Sequence, residues 1–250
     1  MNPASPNQYF DITRFPKTWG MLVFPVSMSR IGNAQSAQAC LDTLKALAPK
    51  IQETKVGANF IYSDGLYLNF KSDARASKNR FAQNAVSHMQ AMKKLRQKER
   101  VQFQIEEAFH FDSWFQMYLS HPDFFSVLGK VKKQYESDTV FQQYVHADAR
   151  TAGKELTDAQ LAFFLEEYVF SYLLLYKQLA LHNDYLEHRE EWILEVYPGP
   201  ALCGGVYLCQ QNPLGFESSN PYIGQYDSSQ MHFIDFKKTD LATYASGISS

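Results

Sequence analysis

The stretch GMLVFPVSMSR, residues 20–30, decides the expected fold because an apolar run ends abruptly on small hydroxyl side chains. The run is short and bounded by turn residues, so residues 20–27 are predicted to form a buried strand. Pro25 has no backbone N–H to donate, which predicts an irregular end to that strand. Ser27 therefore stands where a strand enters a loop, and it is either a nucleophile or only a strand end.

Strands and helices alternate after this first strand. The predicted strands are residues 20–27, 56–64, 101–105, 192–197, 204–209 and 231–236. The predicted helices are residues 36–51, residues 73–100, a long helical region from residue 113, and a last helix that begins near Thr157. Residues 211–229 are rich in Gly, Pro, Asn and Ser, and they are predicted to be a loop.

This alternation predicts an α/β fold with a mainly parallel sheet and flanking helices. Ligands of such sheets bind beyond the carboxyl ends of the strands. Ser27 and Tyr197 both follow or end a predicted strand. The functional site is therefore expected where these two residues lie.

The composition argues against several classes of protein. The 250 residues contain no apolar run long enough to span a membrane. The first 15 residues lack a cationic start followed by an apolar core, so no secretory signal is expected. The three cysteines are an odd number without CxxC spacing, which is typical of reduced thiols. A cytoplasmic protein with no membrane partner is expected.

The net charge of −2 conceals an uneven distribution of charge. Residues 71–100 carry nine cations and two anions, a balance of +7, which leaves −9 for the rest of the chain. This helical segment is either a surface that binds a polyanion or a solvated helix face. The candidate cations for phosphate binding are Arg75, Lys78, Lys93, Lys94, Arg96, Lys98 and Arg100.

Common catalytic motifs are missing from the sequence. It has no GxGxxG after a strand, no GxxxxGK[ST], no HExxH and no GxSxG, which argues against dinucleotide, P-loop, zincin and α/β-hydrolase chemistry. The seven histidines match no zinc-ligand spacing. No cofactor and no metal are expected.

The ordered features together resemble the tRNA-dependent cyclodipeptide synthases, from about Met21 to the strand near Phe236. LVFPVS, residues 22–27, matches the first strand of that family, which ends in a nucleophilic Ser. Residues 73–100 match its basic helix, and Tyr168 falls where the family has a Tyr on a later helix.

The late strand adds a fourth match and points to one branch of the family. Tyr197 in LEVYPGP matches a Tyr that follows a late strand. One branch has Asn three residues after the Ser, where this chain has Arg30. The other branch lacks that Asn and has Tyr-Pro, as in Tyr197-Pro198, so the chain is similar to the second branch.

The resemblance implies a Rossmann-like fold, similar to the catalytic domain of class I tyrosyl- and tryptophanyl-tRNA synthetases. Residues 1–18 would be an irregular lead-in, and residues 19–250 a single catalytic α/β domain. It implies a monomer that uses two aminoacyl-tRNAs and releases a cyclic dipeptide through an acyl group carried on Ser27.

The resemblance also assigns roles to the residues of the site. Tyr168 would hold the substrate amino group, and Tyr197 would orient groups or relay protons near Ser27. Arg30 and Pro198 would shape the substrate pocket, and the basic helix would bind tRNA phosphates.

The chain departs from the family pattern in one respect. The helical Tyr should be followed by Glu four residues later, but Tyr168 is followed at that spacing by Tyr172. Glu167 entering the site from the neighbouring turn is the favoured substitute, because the register Phe163-x-x-x-Glu167 recovers the acid. Alternatively, Tyr172 replaces the acid, or the acid is lost and the activity has changed. A further alternative is that Glu166 and Glu167 are both solvated on the outer face of the helix.

Two other functions stay open. A related enzyme would transfer one aminoacyl group from tRNA to a different amine. A tRNA-binding protein without enzymatic activity would keep the basic helix and have no use for Ser27.

Overall fold

The computed structural model describes residues 9–10, 15, 17–51, 56–66, 74–98, 109–121, 123–179 and 191–248. The strands in these ranges are β1 (Tyr9–Phe10), β2 (Gly20–Val26), β3 (Val56–Tyr62), β4 (Phe109–Ser113), β5 (Trp192–Tyr197), β6 (Gly224–Asp227) and β7 (His232–Asp235). The helices are α1 (Ala37–Ile51), α2 (Ala74–Lys98), α3 (Trp114–Ser120), α4 (Phe124–Ser137), α5 (Thr139–Thr151), α6 (Asp158–Leu175), α7 (Cys203–Gln211) and α8 (Leu241–Ile248). None of the helices in these ranges is long and apolar enough to cross a membrane.

The described strands form one sheet in the order β1-β7-β6-β5-β2-β3-β4. The strands from β6 to β4 pair in parallel, and β7 and β1 add antiparallel pairs at one edge. The predicted Rossmann-like, mainly parallel sheet with flanking helices is therefore confirmed. The chain runs from β2 outward through β3 to β4 and returns to β5 on the other side of β2, so the strand order reverses between β2 and β5.

Side chains of the central strands alternate between two hydrophobic cores, one on each face of the sheet. Leu22, Phe24 and Val26 of β2 pack with α1 and α2, whereas Met21 and Val23 pack with the helices from α3 to α8. This period of two is that of any β-strand. It continues past the end of β2, so Ser27 lies on the face that α6 covers, together with Pro25.

Two of the predicted elements are wrong. Residues 204–209 form part of helix α7 rather than a strand. Glycines disfavour helices on their own, but a Cβ on Gly204 would lie 2.5 Å from the Tyr168 ring, so close packing of α7 on α6 requires glycine there. The loop predicted at 211–229 contains strand β6. Gly224 suggested a loop, but it permits the pairing with β7, since any Cβ at this position would clash with the Ile234 carbonyl.

The strand predicted at residues 101–105 lies outside the described residues, in which β4 pairs with β3. Another prediction differs in its details. Within the lead-in predicted to be irregular, Tyr9–Phe10 form β1 and pair with Ile234 and Phe233 of β7.

Candidate active site

The reversal of strand order brings the ends of β2 and β5 together. In open α/β sheets the crevice at such a reversal is where ligands bind. Ser27 directly follows β2, and Tyr197 ends β5. Both side chains, with Glu195 two residues before Tyr197, line a cavity of about 520 Å³ between the sheet and the helices of the α6 face.

The cavity gathers five of the residues predicted for the site. These are Ser27, Arg30, Glu167, Tyr168 and Tyr197. They come from the loop after β2, from α6 and from the end of β5, segments that are far apart in the sequence. These residues, which the sequence places at strand ends and on a helix, therefore line one cavity.

The loop that carries Ser27 is held by the side chain of Gln35. The backbone N–H of Ser27 donates to Gln35 Oε1 at 2.8 Å, and Gln35 Nε2 donates to the Pro25 carbonyl at 2.6 Å. Pro25 stays in register with Ile61 of β3, so the strand end predicted to be irregular is regular on that side, and Gln35 supplies the partner of the Pro25 carbonyl. Ser27 is 9% exposed, and its hydroxyl lies 2.9 Å from the Ser29 hydroxyl.

Arg30 connects this loop to the end of β5. Its Nη1 donates to the Pro198 carbonyl at 2.6 Å, and its guanidinium lies 5.2 Å from the centre of the Tyr197 ring. Gly199 has φ +122°, a backbone conformation that favours glycine, and its N–H donates to Asp227 Oδ1. The turn after β5 is thus fixed, and with it the position of Tyr197.

One face of α6 forms the wall opposite the sheet. Gln160, Phe163, Glu167, Phe170 and Ser171 line the cavity at spacings of three or four residues, as neighbours on one helix face do. The register Phe163-x-x-x-Glu167 is therefore the one that faces the site.

Glu166 and Tyr172, the two other candidates for the amine-binding group, lie outside the cavity. Glu166 accepts a hydrogen bond from the Tyr118 hydroxyl on α3. The Tyr172 hydroxyl donates to Asn212 Oδ1 at 2.6 Å, and the Tyr172 ring stacks on Phe216. Tyr172 is thus packed against the segment after α7, not against the cavity, so the structure does not bring this predicted substrate-binding residue to the site.

The environment of Glu167 favours its protonated form. Removal from bulk water and the neighbouring carboxylates Glu195 and Asp148 raise the pKa of Glu167 to about 8, and Arg30 opposes this rise. Glu167 as a whole residue is half-buried, and it lines the wall of the cavity. A cation that enters the cavity would therefore find a carboxylate whose charge is costly when unpaired.

Tyr168 lines the cavity, but its hydroxyl is already engaged. It donates to Asp148 Oδ2 at 2.6 Å, and the same carboxylate accepts the N–H groups of Cys203 and Gly204 at the start of α7. Burial raises the pKa of Asp148 to about 6, and these hydrogen bonds oppose that rise. Tyr168 is thus held toward Asp148, and the part of it that the cavity offers is mainly the ring.

The fold can now be compared with solved structures. A cyclodipeptide synthase from Candidatus Glomeribacter gigasporarum, bound to Phe-tRNAPhe, matches with a TM-score of 0.51 at 16% identity, over 81% of this chain and 86% of that one. A cyclo(L-leucyl-L-phenylalanyl) synthase matches with a TM-score of 0.50 at 14% identity, over 83% and 88% of the two chains. The chain has the cyclodipeptide synthase fold.

A third solved structure is less similar. It is a Mycobacterium tuberculosis protein, described as showing that cyclodipeptide synthetases are related to type I tRNA synthetases, with a TM-score of 0.47, 14% identity and coverage of 82% and 83%. No family model matches the chain, and no curated protein matches it either. The predicted resemblance is thus confirmed at the level of the cyclodipeptide synthase fold, whereas the branch indicated by Arg30 and Tyr197-Pro198 stays a prediction.

On this fold the basic helix lies on the face opposite the cavity. Lys93, Lys94 and Lys98 of α2 are exposed, and Arg96 is half-buried. Lys93 and Arg96 lie over the rings of Phe111 and Phe109 on the edge strand β4. The side chains of Arg75 and Lys78, and the whole of Arg100, lie outside the described residues.

Three residues of the site were not predicted from the sequence. Gln35 and Asp148 carry no local signal, because their roles depend on contacts with distant segments. Glu195 does carry one, since it is the single charge in the otherwise apolar strand WILEVY. The described residues hold no group of three or more His, Cys, Asp or Glu arranged to bind a metal.

Proposed function

We propose that the protein joins two aminoacyl groups from two aminoacyl-tRNAs into a cyclic dipeptide, with Ser27 as the nucleophile. The observation that carries this proposal is the cavity at the reversal of strand order, where Ser27, Arg30, Glu167 and Tyr197 meet. The cyclodipeptide synthase fold supports it. An aminoacyl-tRNA is an activated ester, so acyl transfer needs no nucleotide or metal to drive it.

The first step transfers an aminoacyl group to the protein. The Ser27 hydroxyl oxygen attacks the ester carbonyl carbon, a new ester bond to Ser27 forms, and the bond to the terminal ribose breaks. The tRNA leaves with a hydroxyl group that takes up the proton lost by Ser27. Formation of an acyl-enzyme divides one difficult reaction into easier steps.

The second and third steps form the two amide bonds. The amino group of the Ser27-linked residue attacks the ester of the second aminoacyl-tRNA, and the second tRNA leaves. The new terminal amino group then attacks the Ser27 ester, which closes the ring and regenerates the hydroxyl. Each amine loses one proton and each departing oxygen gains one, so the balance is two aminoacyl-tRNAs to one cyclic dipeptide and two tRNAs.

Glu167 is the group that receives the amines. Each substrate amine enters as an ammonium ion and must lose protons before it attacks. Glu167 lines the cavity, and an ammonium ion beside it would lower the pKa that burial has raised, so its carboxylate can pair with the ammonium and accept a proton. Tyr197, whose ring lies beside Arg30, orients the substrate or relays protons near Ser27. Tyr168 contributes its ring to the cavity wall.

The exposed cations of α2 would hold the tRNA. Phosphate contacts from lysine and arginine are independent of sequence and weaken as salt concentration rises. This allows one surface to accept two tRNAs that differ in sequence, which the reaction requires.

The test is expression in bacteria, followed by mass spectrometry of the culture medium for cyclic dipeptides. The wild-type protein should release them, Ser27→Ala should not, and Ser246→Ala, at an exposed serine on α8, should match the wild type. A linear aminoacyl conjugate in place of the cyclic product would identify transfer to another amine. Retained tRNA binding with no product of either kind would identify a tRNA-binding protein without this activity.

A further inference from the structure

Glu195 is a carboxylate in the cavity wall that the proposed reaction does not use. It lies on the central strand β5, two residues before Tyr197, and its side chain is 5% exposed. Its Oε1 accepts a hydrogen bond from the Ser171 hydroxyl at 3.0 Å. Its Oε2 is buried and has no partner among the described residues.

A buried acceptor without a partner lowers the stability of the fold, so we expect it to bind a ligand. A buried carboxylate oxygen without a donor loses its hydration and gains nothing in return. A purely structural carboxylate would have both oxygens paired, as Asp148 does with three donors. Burial accordingly raises the pKa of Glu195 to about 7.

The two cations that line the cavity do not pair with Glu195. Arg30 donates to the Pro198 carbonyl and lies over the Tyr197 ring, and Lys154 is exposed at the rim. The inner wall therefore presents more carboxylates than cations. Besides Glu167, Oε2 of Glu195 is therefore an acceptor in this wall that a ligand can use.

We infer that Glu195 is a specificity-determining residue that accepts the hydrogen-bond donor at the end of a basic or amide aminoacyl side chain. This inference rests on the proposed function, since it assigns part of the same cavity. Glu167 on the half-buried wall serves the α-ammonium that every aminoacyl group has. Glu195, deeper on the strand, contacts the part of the substrate that differs between amino acids.

Glu195 should therefore favour aminoacyl side chains that carry an N–H donor over apolar ones. A leucyl side chain would leave Oε2 unpaired and dry, whereas a lysyl or glutaminyl side chain would supply an N–H. A site built around a buried hydrogen-bonding group discriminates strongly against a ligand that lacks the partner. Only the lysyl chain would also neutralise the charge.

The test uses stable analogues in which lysine, glutamine or leucine is joined to adenosine through an amide in place of the ester. Their binding to the purified full chain is measured by calorimetry for the wild type, Glu195→Gln, Glu195→Leu and the control Glu166→Gln. The wild type and the control should bind the lysyl and glutaminyl analogues at least about tenfold more tightly than the leucyl analogue. Glu195→Gln should lose the lysyl preference and keep the glutaminyl one, and Glu195→Leu should prefer leucyl.

Binding of the leucyl analogue as tightly as the others, an unchanged order in both Glu195 variants, or no binding of any analogue would overturn the inference. Glu195→Gln is nearly isosteric, so it remains informative if Glu195→Leu does not fold. The binding order is separate from turnover. If it holds while the medium contains no cyclic dipeptide, the proposed reaction fails and the assignment of Glu195 stands.

Discussion

Helix α2 and the cavity lie on opposite faces of the same sheet, and their charged groups differ in sign and in exposure to water. On α2 the cations Lys93, Lys94 and Lys98 are exposed, where water screens each charge. In the cavity the carboxylates of Glu167 and Glu195 are removed from bulk water, and their pKa values rise. Surface charges act as a diffuse field on a large partner, whereas cavity charges act one by one on a small group.

The two regions are joined by a chain of buried hydrogen bonds. His88 of α2 donates from Nε2 to the Gln35 carbonyl at 3.0 Å, and its Nδ1 accepts the Tyr62 hydroxyl at 2.9 Å. Gln35 in turn holds the backbone of Ser27 and Pro25. The basic helix is therefore anchored to the loop that carries the proposed nucleophile, although their surfaces face different ways.

The largest effect is expected inside the cavity, at Glu167. Glu167→Gln removes the group that pairs with the ammonium and accepts its proton, so product formation should fall about a hundredfold, and at least about tenfold. Glu166→Gln is the matched control one residue away, because Glu166 bonds to Tyr118 outside the cavity. Rates of cyclic dipeptide formation measured by mass spectrometry check this. Equal, small losses from both variants would remove Glu167 from the mechanism.

A second effect concerns stability and its dependence on pH. Burial raises the pKa of Glu195 from 4.5 to about 7, so between these values the folded state keeps a proton that the unfolded state releases, and stability is lost as pH rises through this range. Glu195→Gln cannot lose a proton, and it should raise the free energy of unfolding by about 2 kcal/mol at pH 8. The gain should shrink as the pH is lowered to 5.

Urea unfolding at the two pH values measures this gain. The control is Glu191→Gln, at an exposed residue directly before β5, which should show no pH-dependent gain. A stabilisation by Glu195→Gln that is equal at pH 5 and pH 8 would mean that Glu195 is not a buried, titrating carboxylate.

The smallest effect is expected from substitutions on helix α2. Replacing Lys93, Lys94 and Arg96 with Gln should weaken tRNA binding about threefold to tenfold at moderate salt and flatten its salt dependence. The free energy of unfolding should change by about 0.5 kcal/mol or less, as is usual for surface substitutions. Filter binding across a salt series measures the effect.

Three exposed lysines of α4 provide a control of equal charge. Replacing Lys130, Lys132 and Lys133 with Gln removes the same charge from another helix. If the two triple variants weaken tRNA binding equally, α2 is a solvated helix face and the polyanion site lies elsewhere.

The sequence predicted the elements whose patterns are local. Strand β2 and helix α1 have strong periodicity, and the positions of Ser27 and Tyr197 followed from the strand ends. The strand predicted at residues 204–209, where the structure has helix α7, was wrong because Gly204 makes a close contact with Tyr168 that no local pattern shows. Strand β6 was missed for a similar reason, since Gly224 permits pairing with β7.

The inner wall of the site was harder to predict than the nucleophile. Glu167 was favoured, but only the packing of α6 on the sheet shows which face of that helix reaches the cavity. Asp148 becomes important through the start of α7, which the sequence had placed in a strand. Glu195 could have been singled out, because a charge within a buried strand needs a partner or a ligand.

The account depends most on Ser27, and covalent labelling tests it directly. The purified protein is mixed with radiolabelled aminoacyl-tRNA, quenched in acid, and its intact mass and bound label are measured. One alkali-labile aminoacyl group should be found on the wild type and none on Ser27→Ala. Label on Ser27→Ala equal to that on the wild type, or cyclic dipeptide formation by Ser27→Ala at the wild-type rate, would contradict Ser27 as the nucleophile.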